Sequence, residues 1–256
     1  MQVPTAILHG SRIADSTLGI MLFAKRQLTA CIAYATLLVA HRTQDARTLH
    51  VATVVDATRV EVALGLAFGA AEADRSARLF GWRVERIAVT ADSLSRLPVG
   101  AVDAIILDTA ITRLPHGIPV LALGCDVAES ERVFRLTPCG PDRDSNVVVW
   151  DASLERFGAE QLNDRYRGVT GAEMNGEAWT GWFAMKALVE SMLRVRSRDP
   201  ERILRYLESA NSQFDGHKGT PLSFDRRRQL RQPLYVVQRT HGGARVVREI
   251  PVETPR

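Results

Sequence analysis

Between residues 48 and 123 the chain alternates short apolar, β-branched runs with helical segments, and this alternation restricts its fold more than any other feature. Residues 48–55 are rich in valine and threonine and end at Asp56, the pattern of a buried strand. Residues 63–80 follow with helical spacing, which places Leu64, Ala67, Phe68, Ala71 and Leu79 on one face and makes Gly81 the stop. Residues 82–89 read as a second strand, 91–97 as a shorter helix, 103–107 as a third strand and 118–123 as a fourth. Strands separated by helices pair in parallel, because the helix carries the chain back across the sheet. The expected class is α/β, a mostly parallel sheet flanked by helices. In such sheets ligands gather at the carboxyl ends of the strands, here residues 56–59, 108–112 and 124–128.

The second half has a different rhythm. A helix starts near Ser153, and another begins with residues 178–188 and repeats Trp182, Met185, Val189 and Met192 at helical spacing, so it should bury that stripe. Asp199, Pro200 and Glu201 supply an N-cap, a first-turn proline and a first-turn acid for a helix over residues 203–208. Period-two apolar residues then predict a hairpin, with strands at 221–224 and 234–238 joined by an arginine-crowded turn at 225–231.

Composition narrows the classes. The chain has 256 residues, 46% of them apolar, and a formal net charge of +4. All but Lys25, Lys186 and Lys218 of its 33 basic residues are arginine, and they concentrate beyond Arg194. No aromatic interleaving or finger motif accompanies that excess, so it reads as a solvated face and no nucleic-acid partner is expected. At the other end, Lys25 and Arg26 precede an apolar run at 28–40, the pattern of a secretory signal starting at Met21 and cut near Ala40 or Ala46. A buried helix is the alternative. The run is too short for the roughly 20 residues of a membrane span, so none is expected in the mature chain. Residues 1–46 are thus read as upstream extension and signal, and 47–256 as the folded domain. Cleavage removes Cys31 and leaves Cys125 and Cys139, either a disulfide or two lone thiols.

The search for catalytic chemistry is mostly negative. His9, His41, His50, His116, His217 and His241 are scattered, with no pair one helical turn apart to hold a metal. No nucleophile elbow, phosphate-binding P-loop or complete dinucleotide fingerprint occurs. Gly65 and Gly69 lie within a helical pattern and read as close helix packing. Asp142, Asp144 and Asn146 alternate like cation ligands but lack the glycine and glutamate of a calcium loop. No metal, cofactor or enzymatic activity is expected, and the chain reads as a binder.

Several stretches resemble a known family. Phe214-Asp215-Gly216, Gly219, Leu222-Ser223-Phe224-Asp225 and Gln232-Pro233 follow the order found in periplasmic solute-binding proteins of ABC importers, of the branched-chain amino acid and amide type. Asp103 to Ile106 and Gly117 to Leu121 resemble strands of that family's first lobe. Val133 to Pro138 resembles the segment that crosses to the second lobe, and residues 178–188 resemble a helix that follows the return. Phe157-Gly158-Ala159, Lys218-Gly219 and Gln229 to Pro233 are most similar to the subgroup associated with PQQ-dependent alcohol oxidation.

The resemblance implies a periplasmic-binding-protein-like I fold whose two lobes close on a small polar solute and are then read by ABC permease subunits. It implies periplasmic location and, by position, a ligand site at Asp56, Thr58, Asp108, Thr109, Thr112, Gly124, Cys125 and Asp126. Two departures matter. Asp108 and Asp126 stand where hydroxyl-rich turns are usual, and would favour an amine or cation over a carboxylate. A short polar linker at 139–146 occupies the place of nearly the whole second lobe, leaving one main lobe and half a cleft. A second copy or another protein could complete it. The alternative is a single-lobe interaction or sensory protein, with an unpaired edge at residues 234–238 as its docking surface.

Overall fold

The computed structural model describes residues 47–98, 100–109, 111, 114–124, 133–138, 146–240 and 243–252. The signal expected within residues 1–46 lies outside them, as do Cys139 and all of the 139–146 linker except Asn146.

Five parallel strands form the central sheet: β1 (Thr48–Val54), β2 (Arg83–Ala88), β3 (Ala104–Leu107), β4 (Val120–Ala122) and β5 (Val133–Arg135). Their order is β2-β1-β3-β4-β5. In register, Ala52 lies opposite Ile105, Ile105 opposite Val120 and Val120 opposite Val133. β1 and β3 are buried along their whole length, as inner strands covered on both faces must be. Their side chains alternate between two cores. Leu49, Val51 and Ile106 enter the larger one, while Ala52, Val54, Ile105 and Leu107 enter the smaller. The predicted α/β class and its first four strands hold, and the segment read as a crossing supplies the fifth strand.

The larger core lies under α1 (Val60–Arg78) and α4 (Gly176–Val195). The smaller is closed by Leu94 of the one-turn α2 (Ala91–Leu94). The predicted first helix exists, and of its predicted face Phe68 is buried and Leu64 packs against the core, but the rest of that face is wrong. Ala67 and Ala71 are exposed and Leu79 is 83% exposed, while Val62, Gly65, Leu66, Phe68 and Gly69 are buried. Glycine sets that face. A Cβ on Gly65 would lie 2.0 Å from the Ala178 carbonyl oxygen, and one on Gly69 2.8 Å from the Trp182 Cα, so the two backbones touch where side chains are missing. The expected stripe of Trp182, Met185, Val189 and Met192 is buried as predicted.

α3 (Ala159–Thr170) and α5 (Pro200–Glu208) complete the helices. Asp199 caps α5 as expected, its Oδ1 accepting from the Glu201 amide at 3.0 Å. Aromatic rings link the parts. Trp150 and Phe183 each stack on Trp179, Phe183 and Phe214 meet edge to face, and Phe214 and Phe134 each pack edge-on against Phe224.

The predicted hairpin separates into two sheets. β8 (Pro221–Phe224) pairs with β7 (Phe214–Asp215) and β9 (Leu230–Arg231), whereas β10 (Leu234–Thr240) lies between β6 (Val147–Val148) and β11 (Gly243–Ile250). The strands were recognisable, but they are not each other's partners. β10 is central to its sheet, which removes the unpaired edge expected at 234–238; the outer strands are β6 and β11, and periodicity does not pick out β11. The arginine-crowded turn is ordered by Asp225, whose Oδ1 accepts from the amides of Arg227 at 2.8 Å and Gln229 at 2.9 Å. The turn then docks on the outer edge of β5, where Arg135 N donates to Arg228 O at 2.8 Å.

Lys218 joins the two small sheets. It is 1% exposed, and its ammonium donates to Val149 O, to Gln232 Oε1 at 2.7 Å and to Pro233 O at 3.1 Å. The same group lies 4.1 Å from the centre of the Trp179 ring.

Candidate functional site at the strand switch point

The connection that follows β1 runs outward to β2 and the one that follows β3 runs the other way to β4, so a crevice opens between the carboxyl ends of β1 and β3. Elements of the predicted site meet there. Asp56 follows β1, and its Oδ1 accepts from both the Thr58 amide at 2.8 Å and the Thr58 hydroxyl at 2.7 Å. These bonds, the hydroxyl's first, hold the Asp56 carboxyl below the usual carboxylate range. The turn is closed by Arg59 N donating to Asp56 O at 3.0 Å, which delivers Arg59 as the residue before α1.

Asp108 ends β3, and its amide donates to Val54 O at 2.9 Å, which fixes it beside β1. Its side chain is 1% exposed and faces the Arg59 guanidinium, with Nε 3.4 Å from Oδ2. Arg59 Nη2 also lies 3.2 Å from Oε1 of Glu177, in the first turn of α4. Gly124, after β4, packs against the same carboxylate, since a Cβ there would lie 3.5 Å from Asp108 Oδ1. Thr109 is half-buried beside it. Thr112, Cys125 and Asp126 lie outside the described residues.

The structure thus brings together Asp56, Thr58, Asp108 and Gly124 and adds two groups not singled out before. Arg59 was legible only as the end of the 56–59 stretch. Glu177 carried no signal, because nothing in its local sequence places the start of α4 over β3. Chemically, one guanidinium is shared between a buried and an exposed carboxylate, with Asp56 nearby. An incoming carboxylate has to compete for Arg59, whereas an ammonium or a neutral donor finds acceptors in place. Among the described residues, no group of three or more His, Cys, Asp or Glu side chains is arranged to hold a metal ion.

No protein-family model matches the chain, and no curated protein matches it by sequence. Solved structures do. A possible leucine/isoleucine/valine-binding protein from Rhodopirellula baltica SH 1 aligns over 80% of this chain and 97% of its own, with 12% identity and a TM-score of 0.53. A branched-chain amino acid ABC transporter periplasmic ligand-binding protein from Burkholderia xenovorans LB400 aligns over 85% of this chain and 62% of its own, with 11% identity and a TM-score of 0.36. A leucine-binding protein from Thermotoga maritima MSB8 aligns over 85% and 64%, with 16% identity and a TM-score of 0.33. The fold is therefore similar to that of the Rhodopirellula protein, a possible leucine/isoleucine/valine-binding protein. The chain spans less than two thirds of the length of the latter two.

Proposed function

We propose that this chain is a non-catalytic solute-binding lobe of the kind that serves ABC importers, taking a small polar solute at the β1/β3 switch point. The observation that carries this reading is the convergence of the Asp56 turn, Arg59 and buried Asp108 at the carboxyl ends of two strands whose connections diverge. Crevices of this kind are where parallel α/β sheets take ligands. The excess of carboxylate over guanidinium favours a solute presenting an amine or a neutral polar group.

On this reading the lobe works in the periplasm, and a permease and a second cleft-completing surface are its partners. That surface is a second copy or another protein. The role in PQQ-dependent alcohol oxidation belongs to the same reading and rests on the sequence resemblance at Phe157 to Ala159, Lys218 and Gln229 to Pro233. Among the described residues no helix is long and apolar enough to cross a membrane.

A thermal-shift screen of the purified chain against amino acids, amides, amines, alcohols, PQQ and metal ions tests this. Ligand at ten times its Kd stabilises by about 1.4 kcal/mol, enough to read as a shift. The expected result is a shift with an amine or neutral polar compound that Asp108→Asn abolishes. No shift with any compound, or an Asp108-independent one, contradicts the reading.

A second reading is favoured by one observation. Arg59 already spans Asp108 and Glu177, so the edge is closed by the chain's own side chains. A lobe closed in this way suits an interaction or sensory protein without a transport ligand. In that case the screen is silent while the chain captures a protein partner.

A further inference from the structure

A second concavity lies away from the strand ends. A cavity of about 470 Å3 opens beside the C-terminal half of α4, with Arg194, Gln213, Asp215 and Thr220 in its walls. The Phe157 ring stands at its edge and is 59% exposed.

That ring is held in the open by an unusual backbone. Phe157 has φ 58° and ψ 29°, in the left-handed region that residues with side chains avoid. Gly158 and Gly219 also have positive φ, at 81° and 74°. His217, at φ 56°, brings its Nδ1 within 3.3 Å of the Phe157 carbonyl oxygen. Gly219 has no room for a side chain, since a Cβ there would lie 2.5 Å from the Phe157 ring. Two non-glycine left-handed residues in contact, bracing an exposed aromatic ring over a cavity, are the kind of local strain that collects at ligand sites.

The polar walls have hydrogen-bonding capacity to spare. Arg194, Gln213 and Thr220 make no side-chain hydrogen bond or ion pair among the described residues. Asp215 uses Oδ1 to accept from the His217 amide at 2.8 Å, and Glu190, also in the wall, pairs with Lys186. The charges of Arg194 and Lys186 offset those of Asp215 and Glu190, so the cavity offers no excess charge to an ion. What it offers is a mixture of donors and acceptors around one aromatic face.

We propose that this cavity binds a neutral polyhydroxylated ligand of one or two sugar rings. Its hydroxyls donate to Asp215 and accept from Arg194 and Gln213, while its C–H face lies on Phe157. The volume falls in the range of small-molecule sites. This site is separate from the switch point, and its existence does not depend on what binds there.

The test is calorimetric titration of the full chain with D-glucose, D-galactose and maltose, with L-phenylalanine as a charged, ring-bearing control. At least one sugar should bind saturably within tens of millimolar, and L-phenylalanine should not. Phe157→Gly relieves the left-handed strain, so it should weaken sugar binding tenfold or more without lowering the melting temperature. Phe157→Trp should retain binding, and Arg194→Ala, at an exposed position, should weaken it tenfold with the fold intact. The proposal is overturned if none of the three sugars binds, if binding is unchanged by Phe157→Gly and Arg194→Ala, or if only L-phenylalanine binds.

Discussion

Lys218 shows what a single buried charge does in this fold. Its three N–H bonds meet three neutral oxygens, from Val149, Gln232 and Pro233, and its charge faces the Trp179 ring. Lys218→Met keeps the aliphatic stem but leaves those oxygens without donors, at about 1 to 3 kcal/mol for each buried group left unsatisfied. A loss of about 3 kcal/mol or more is expected in urea unfolding. The side chain also sets a pH dependence. Burial pushes its pKa well below the 10.5 of a free lysine, so in that window the unfolded chain binds more protons than the folded one. Stability from this group therefore rises as pH climbs from the lowered folded value towards 10.5, and its cost is fully present below that window. Wild type should gain on Lys218→Met as pH is raised through it, as read by unfolding curves at stepped pH. The sequence resemblance singled out Lys218-Gly219, but nothing local showed that this lysine would be buried, because its acceptors come from β6's end and the β9–β10 link.

At the scale of elements, the contact of α1 with α4 decides the larger core. Gly65→Val has to force backbone apart, since even a Cβ would meet the Ala178 carbonyl at 2.0 Å. Overpacking commonly costs about 1 to 3 kcal/mol, and this site, lined by backbone that cannot rotate away, belongs at or above the upper end. Gly168 is the contrast. It is exposed within α3, and a Cβ added there would meet nothing within 4 Å, so Gly168→Ala should stabilise by about 0.5 to 1 kcal/mol. Thermal unfolding of both variants gives opposite signs if the packing is as described. These helices also show where sequence reading stopped. Hydrophobic periodicity found α1 but put Leu79 in its buried face, because periodicity weighs bulk and cannot see that two backbones meet at glycines. It found the strands at 221–224 and 234–238 for the same reason it mispaired them: alternation identifies a strand and not its neighbour. Capping was legible in full at Asp199, where the interaction is local.

At the scale of the whole molecule, the order β2-β1-β3-β4-β5 turns a list of strand-end residues into a crevice. The sequence located its β1 and β3 walls because strand ends follow from local pattern, and it missed Glu177 because that contact depends on how α4 crosses the sheet. On the proposed reading the Arg59 bridge sets the selectivity of the crevice, since a ligand there would have to satisfy Asp108 better than Arg59 does. Hydrogen exchange of the chain, with and without a pooled panel of amines, amides, amino acids and alcohols, tests this most directly. The account predicts that the panel slows exchange at residues 56–60, 108–109 and 176–178, which the three walls contribute. Unchanged exchange in all three segments, or slowing confined to other parts of the chain, would contradict it.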